Sequence, residues 1–308
     1  MKMPRPVLYS GSATAFSLLG DQALYAILPT YYLELGLLPW HVGLLLSVNR
    51  FIRVFINHWV ARICKRLPVR PLFVVALFVG ATLTLIYALT DVFALLLIAR
   101  LTWGFCWAII RQIGLMTVAE NSAERIAGRS MGFYSGLSRL GSVAGNFFGG
   151  LGHDLMGYTG ILTLFSGISL LALPLGSFSF SGDVHSEVRD NEKRKVVNAG
   201  KGVVFGGFAI GFVGQGALMS TLGLFLTKEI GTGITLGSFF IGVATLTGGL
   251  MATRWLADLL APLLGALSDL WGRRFGSLVF LIVGSCALGA AGLEGNLSIR
   301  VFCIILFF

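Results

Sequence analysis

The chain has 308 residues, of which 56% are hydrophobic and 12% are charged, and its formal net charge is +9. Soluble domains carry about 25% charged residues, so this composition excludes an ordinary soluble protein and indicates a membrane protein. The positive charge does not favour nucleic-acid binding, because lysine and arginine fall in short clusters between apolar runs and form no single basic face.

Apolar segments of membrane-spanning length follow one another along the chain. A helix needs about 20 apolar residues to cross a hydrocarbon core of about 30 Å, and by this measure we predict nine spans. Their approximate limits are 8–33, 40–61, 71–90, 93–117, 130–152, 158–180, 202–226, 236–264 and 276–293. A tenth apolar stretch, 298–308, is too short to cross. Residues 1–6 have no pattern of a cleaved signal, so we expect the first span to stay in the membrane.

Basic residues alternate between successive connections. Fifteen of them lie in the N-terminus and in every second connection, whereas the other set of connections holds only Lys228 and Arg300. Lysine and arginine are retained on the cytoplasmic side of a membrane. We therefore predict a multi-pass protein of the cytoplasmic (inner) membrane with its N-terminus in the cytoplasm.

One long polar connection, 181–200, divides the chain. Its sequence, SGDVHSEVRDNEKRKVVNAG, is typical of a flexible linker. We predict an N-terminal lobe of six spans over 1–180, a cytoplasmic linker over 181–200, and a partial C-terminal lobe over 201–308 with helices 7–9 and the start of helix 10. The four cysteines have no ligand spacing, so neither a metal site nor a disulfide framework is predicted, and no cofactor is expected.

A charged turn recurs at matching places in the two halves. GALSDLWGRRF, from Gly265 to Phe275, connects the predicted spans 8 and 9, and NHWVARICKRL, from Asn57 to Leu67, connects spans 2 and 3. An offset of 208 residues places the two basic pairs on each other. Such a repeat indicates a duplicated bundle, an arrangement common in secondary transporters.

At these motifs the sequence resembles the major facilitator superfamily of secondary transporters, and the resemblance covers essentially the whole chain. The family signature G-x-x-x-D-[RK]-x-G-[RK]-[RK] is met except at Leu270, while the first copy has Ala61 in place of its acidic residue. Arg100 and Gly104 are similar to the R-x-x-x-G element of helix 4, and GLSRLGSVAGNFFGG is similar to the glycine-rich element of exporters without its proline. The five matching positions of the signature are Gly265, Asp269, Gly272, Arg273 and Arg274.

The resemblance implies an all-α membrane protein with two six-helix lobes that rock around a central cavity, the second lobe being incomplete here. It implies that the signature loop is a conformational gate, because charge-assisted contacts of Asp269 can form in one conformation and break in the other. The alternative is that Arg273 and Arg274 only anchor the orientation of the chain.

Charged residues inside the spans are candidates for binding, because each is costly in lipid unless it is paired or hydrated. Arg254 and Asp258 stand one turn apart and can satisfy each other. The predicted substrate- or ion-binding residues are Asp21, Tyr25, Arg50, Arg100, Trp107 and Arg139. For Arg50 and Arg100 the alternatives are contact with substrate, contact with Asp21, and static pairing between helices. On helix 5 the stripe Gly141, Gly145 and Gly149 is predicted to pack a neighbouring helix.

Three functions follow from these residues. Proton-coupled efflux of amphiphilic compounds is favoured by Asp21, by the helix 5 glycines, and by aromatics such as Tyr25, Trp103 and Trp107. Transport of an organic or inorganic anion is favoured by the excess of arginine in the spans, which hold six arginines and two aspartates. The third hypothesis is an inactive fragment, or a chain that a second polypeptide completes. No nucleotide-binding loop or nucleophile elbow is present, so we do not expect an enzyme. The expected partners are a small-molecule solute, protons and the lipid bilayer.

Overall fold

The computed structural model describes residues 3–122, 127–180, 211–236, 239–257, 273–293 and 296–308. The first half begins with α1 (Arg5–Ser17) and α2 (Leu19–Tyr31), which together form the first predicted span. They meet at Leu18, whose backbone is right-handed helical. The predicted linker, 181–200, lies outside the described residues.

The next three helices follow the predicted spans 2 to 4. They are α3 (Pro39–Arg66), α4 (Val69–Leu89) and α5 (Phe93–Asn121). Proline at the first turn of α3 suits a helix start, because its missing N–H has no partner inside the helix. Leu67, which precedes Pro68, is extended, as the residue before a proline prefers to be, and α3 ends there.

The predicted spans 5 and 6 are the two arms of α6 (Ala127–Ser169), between which the chain reverses at Gly157. Gly157 has a φ of 75°, a conformation that glycine adopts without steric cost. The two arms pack side by side, because a Cβ on Gly152 would lie 2.3 Å from Ile161 Cδ1. A short helix, α7 (Ala172–Phe178), completes the first half.

The described part of the second half starts with a π-helix, Gly211–Leu218, that leads into α8 (Met219–Ile230). An antiparallel hairpin of β1 (Gly233–Leu236) and β2 (Phe239–Gly242) precedes α9 (Val243–Ala257). Two more helices are described, α10 (Arg273–Ala291) and α11 (Leu297–Phe307).

The predicted start of span 8 at residue 236 was wrong, because β2 occupies residues 239–242 and the helix begins at Val243. A short apolar run rich in aromatic and β-branched residues cannot be assigned to helix or strand from its pattern alone. By length and composition, three described segments suffice to cross a membrane: Val69–Leu89, Phe93–Asn121 and Arg129–Phe178. Span 1 falls short of this measure because Leu18 divides it into two helices of 13 residues.

The first span is the centre of the bundle. Every residue of α2 from Leu19 to Pro29 is buried. The glycine stripe of α6 lies against this span: a Cβ on Gly141 would lie 2.3 Å from Ala15 O, and a Cβ on Gly149 would lie 2.6 Å from Ala23 Cβ. A Cβ on Gly145 would lie 2.8 Å from Leu19 O, so the three glycines allow the two helices to approach closely.

The two ends of the bundle differ. We call the end that holds the start of α1, the end of α3 and the start of α6 the basic end, and the opposite end, near Tyr31 and Gly157, the far end. The two halves of the chain are in close contact towards the far end, where a Cβ on Gly150 would lie 2.1 Å from Ala244 O and a Cβ on Gly223 would lie 2.4 Å from Thr30 Oγ1. At Gly150 the backbones of α6 and α9 are therefore in direct contact, with no side chain between them.

Candidate functional site

A cavity of about 320 Å³ lies in the half of the bundle nearer the basic end. Its walls come from the first, second, fourth and fifth spans and, from the second half of the chain, from α9. Among the lining residues are five of the six predicted binding residues, Asp21, Tyr25, Arg50, Trp107 and Arg139. The sixth, Arg100, lies directly behind Asp21.

Asp21 and Arg100 form a buried ion pair. Arg100 Nη1 donates a short hydrogen bond to Asp21 Oδ1, and Arg100 Nε donates to Leu45 O over 2.9 Å. Arg100 is 1% exposed and Asp21 is 6% exposed, so each charge depends on the other for its compensation. Of the alternatives that the sequence left open for Arg100, the contact with Asp21 is the one present in the structure.

Amide side chains complete the surroundings of the Asp21 carboxylate. Gln22 Nε2 donates to Asp21 Oδ2 over 3.0 Å, and Asn49 Nδ2 donates to Asp21 Oδ1 over 3.3 Å. Gln22 Oε1 accepts in turn from Asn146 Nδ2 over 3.1 Å. The resulting network joins α2, α3, α5 and α6 around a single negative charge.

Four arginines line the cavity, namely Arg50, Arg53, Arg111 and Arg139. In the described lining the single carboxylate is Asp21, which pairs with Arg100, so the described lining holds more arginines than carboxylates. A fifth guanidinium, that of Arg254 on α9, interacts electrostatically with Arg50 and Arg139. The like charges of these half-buried groups repel one another, and an anion bound among them would relieve that repulsion.

Aromatic rings hold several of these guanidinium groups. Arg50 Cζ lies 5.0 Å from the centroid of the Tyr25 ring, a distance typical of a cation–π contact. Arg139 and Arg254 approach the Trp255 ring from the two halves of the chain, with Cζ-to-centroid distances of 5.8 Å and 4.7 Å. Tyr25 OH donates to Leu46 O over 3.2 Å, which fixes its ring in the wall.

Trp103 is not among the lining residues, although we grouped it with the cavity aromatics from the sequence. It is buried against α4, where a Cβ on Gly80 would lie 2.7 Å from Trp103 Cζ3. Gln22, Asn49 and Trp255 also belong to the site and were not predicted from the sequence. Gln22 and Asn49 are polar residues in apolar spans, a signal that we applied only to charged residues.

A second, much smaller cavity lies on the other side of Arg100. It has a volume of about 10 Å³ and is lined by Arg100, Tyr87, Tyr158 and four leucines, Leu24, Leu28, Leu45 and Leu96. Within the described part of the chain, Arg100 Nη2, Tyr87 Oη and Tyr158 Oη are buried without a hydrogen-bond partner.

The predicted gate is described only at its end. Gly265, Asp269 and Gly272, and likewise Asp258, lie outside the described residues. Arg273 and Arg274 are the first two residues of α10, and only their backbone is described.

Arg254 Nη1 lies 3.3 Å from Met219 Sδ. Among the described residues there is no group of His, Cys, Asp and Glu side chains that could hold a metal ion.

The fold is similar to that of several solved transporters. A bacterial homolog of the human lysosomal transporter Spinster, in an inward-facing and unoccupied conformation, aligns with 100% of this chain and 73% of its own at a TM-score of 0.76 and 16% identity. The nucleoside transporter NupG aligns with 98% of this chain and 77% of its own at a TM-score of 0.72 and 12% identity. A POT family transporter in complex with a thioalcohol-conjugated peptide aligns with 98% and 80% of the two chains at a TM-score of 0.67 and 11% identity.

At these identities the likeness establishes the fold alone. No curated protein matched the chain. The family model described as Major Facilitator Superfamily matches residues 11–308, almost the whole chain. The predicted family and the predicted all-α membrane fold are thereby confirmed. This chain is a multi-pass membrane protein and belongs to the major facilitator superfamily of transporters.

Proposed function

We propose that the chain carries amphiphilic organic anions across the cytoplasmic membrane by alternating access. The observation that carries this proposal is the cavity lining, in which, among the described residues, four guanidinium groups accompany one carboxylate that is paired with Arg100. Guanidinium groups bind carboxylate, sulfonate or phosphate oxygens through paired, charge-assisted hydrogen bonds. The anion-carrier alternative from the sequence is thus the better supported one.

The aromatic walls favour an amphiphilic substrate over a small inorganic anion. Tyr25, Trp107 and Trp255 line the same cavity as the arginines, and a ring face offers apolar contact beside the charge. A volume of about 320 Å³ is at the lower end of the range for small-molecule sites. A substrate with an anionic head group and a short apolar body could contact both the arginines and the aromatic rings.

The proposed orientation rests on the distribution of basic residues among the connections. If the N-terminus is cytoplasmic, as the distribution of lysine and arginine predicts, the basic end faces the cytoplasm and the cavity is accessible from the cytoplasm. The far end, where the two halves of the chain pack closely, is then the closed extracytoplasmic end. Labelling of single cysteines in intact cells would test this orientation, with Lys65 and Lys228 as positions at the two ends.

Arginine variants test the anion proposal. In proteoliposomes, Arg53→Gln and Arg111→Gln should weaken uptake of a fluorescent alkyl sulfonate about ten- to a hundredfold, because each removes a charge-assisted contact. Arg62→Gln is the matched control, since Arg62 is an exposed arginine of the same helix as Arg53 and lies outside the cavity. Equal uptake by all three variants would refute the proposal.

We also propose that Asp21 couples transport to protons. Its carboxylate lines the cavity and is bound to Arg100, so a proton on Asp21 and the ion pair are alternative ways to neutralise the same charge. Asp21→Asn should abolish uptake driven by a pH gradient while exchange of substrate across the membrane continues. Asp91→Asn removes an exposed aspartate between α4 and α5 and should leave both activities unchanged. Gradient-driven uptake that persists in Asp21→Asn would contradict the coupling role.

A further inference from the structure

A second polar cluster lies at the far end, remote from the cavity and built from both halves of the chain. Its centre is Asp154, on α6 just before the reversal at Gly157. Asp154 Oδ1 accepts from Tyr31 OH over 3.2 Å. Asp154 Oδ2 accepts from Thr245 N over 2.9 Å and from Thr245 Oγ1 over 2.5 Å. A carboxylate of the first half therefore caps a helix of the second half.

The position of Asp154 makes this contact sensitive to lobe movement. Thr245 is the third residue of α9, so its N–H has no acceptor within its own helix. The positive end of the α9 dipole adds to the attraction for the carboxylate. Gly242 allows the approach, because a Cβ at this position would lie 2.2 Å from Asp154 Oδ2. If α9 moved away from α6, these contacts with Asp154 would be lost together.

His153 is the titratable group of the cluster. It is 7% exposed, and neither of its ring nitrogens has a hydrogen-bond partner among the described residues. Its Nδ1 lies 3.7 Å from Asp154 Oδ1, an ion-pair distance that is too long for a hydrogen bond. Its ring stacks on that of Tyr31 with a centroid distance of 3.9 Å. Histidine is the side chain whose charge ordinarily changes between pH 5 and 8.

We propose that His153 is a proton-binding site that controls the extracytoplasmic gate. A proton on His153 converts the contact with Asp154 into an ion pair and adds a cation–π contact with the Tyr31 ring. Both contacts reinforce the carboxylate that joins α6 to α9. The far end is therefore most stably closed when His153 is protonated.

The sign of the pH effect follows from linkage. The closed far end places Asp154 beside the imidazolium, so the closed state binds the proton more tightly than the open state does. Closure is strengthened at low pH and weakened as the pH rises. Among the described residues, the charged or titratable groups in contact with His153 are Asp154 on its own helix and Tyr31 on α2, and Tyr31 interacts electrostatically with Glu34. The negative charge of Asp154 favours the imidazolium.

The width of the far end can be measured directly without substrate. Spin labels at Leu33→Cys and Lys228→Cys, two exposed far-end positions in different halves, would report it in lipid nanodiscs once Cys286 and Cys303 are replaced by serine. Between about pH 8 and about pH 5.5 the ratio of closed to open populations should rise about tenfold, the effect of one charge-assisted contact.

Substitutions assign the effect to its residue. His153→Gln, which cannot be charged, should hold the ratio constant over that pH range, and Asp154→Asn should both open the far end and remove the pH dependence. His58→Gln replaces an exposed histidine of α3 and should behave as the unsubstituted chain. A pH dependence that survives in His153→Gln would overturn the proposal, as would a far end that opens at low pH. Because no anion is involved, neither result depends on the substrate of the cavity.

Discussion

Removal of one partner of the Asp21–Arg100 pair should cost more stability than removal of both. Arg100→Met keeps most of the side-chain volume but leaves the buried Asp21 carboxylate with the amides of Gln22 and Asn49 as its donors among the described residues. Loss of one partner of a buried pair costs about 3–5 kcal/mol. Hydration from the cavity that Asp21 lines favours the lower end of this range, so we expect about 3 kcal/mol.

The reverse substitution should cost a similar amount. Asp21→Asn leaves the Arg100 guanidinium 1% exposed, with Leu45 O and the rings of Tyr25 and Tyr87 as its remaining partners. In the double variant no charge is left unpaired, and replacement of a whole buried pair is often close to neutral. The double variant should therefore recover at least about 2 kcal/mol of the summed losses.

Equilibrium unfolding in mixed micelles with increasing SDS would give the four free energies of the cycle. Arg62→Gln, an exposed arginine, is the control and should change the free energy of unfolding by less than about 0.5 kcal/mol. Single losses that add in the double variant to within about 0.5 kcal/mol would refute the account of this pair as mutually compensating charges.

Substitutions at two further positions, Gly150 and Tyr25, test the packing of the far end and of the cavity wall. Gly150→Ala places a Cβ 2.1 Å from Ala244 O and should destabilise the closed far end by about 1–3 kcal/mol. The distance between spin labels at that end should then increase. Gly132→Ala is the control, because its Cβ meets no atom within 4 Å, and it should leave the distance unchanged. An unchanged distance in Gly150→Ala would show that the halves do not close there. Tyr25→Phe loses the hydrogen bond to Leu46 O but keeps the ring beside Arg50, so it should lose about 1 kcal/mol of stability and retain its affinity for anions. Tyr25→Leu also loses the ring and should bind anions more weakly. Equal anion affinities in the two Tyr25 variants would exclude a role for the ring.

The sequence predicts the membrane class and the family well, because both depend on features that repeat along the chain. Apolar runs of spanning length and the alternation of basic connections persist whatever the details of packing. The signature between Gly265 and Arg274 indicates the family from a few positions, and the family model confirms that family.

The sequence predicts which charged residues lie inside the bundle better than it predicts their partners. A charge in an apolar span is conspicuous, so Asp21 and Arg100 stood out from composition alone. Periodicity cannot tell which helices meet, however, and their pairing emerged only once α2 and α5 were placed side by side. The far-end cluster was missed for the same reason, because Thr245 and Tyr31 are remote in sequence from Asp154.

The hairpin before α9 shows a different limit. Residues 239–242 are as apolar as the helix that follows them, and composition gives no boundary between the two. The boundary is set by pairing with β1, where a Cβ on Gly233 would lie 2.3 Å from Ile241 O. Such cross-strand constraints are absent from the helical pattern that we used to define spans.

The central claim is that the cavity selects anions, and a binding comparison of two matched ligands tests it most directly. An alkyl sulfonate and an alkyl trimethylammonium of equal chain length, each brominated to quench Trp107 and Trp255 in the cavity wall, would be titrated into the protein in lipid nanodiscs. The account predicts that the sulfonate binds at least about tenfold more tightly than the ammonium, and that Arg53→Gln/Arg111→Gln removes most of the difference. Tighter binding of the ammonium, or a preference for the sulfonate that survives in the double variant, would contradict it.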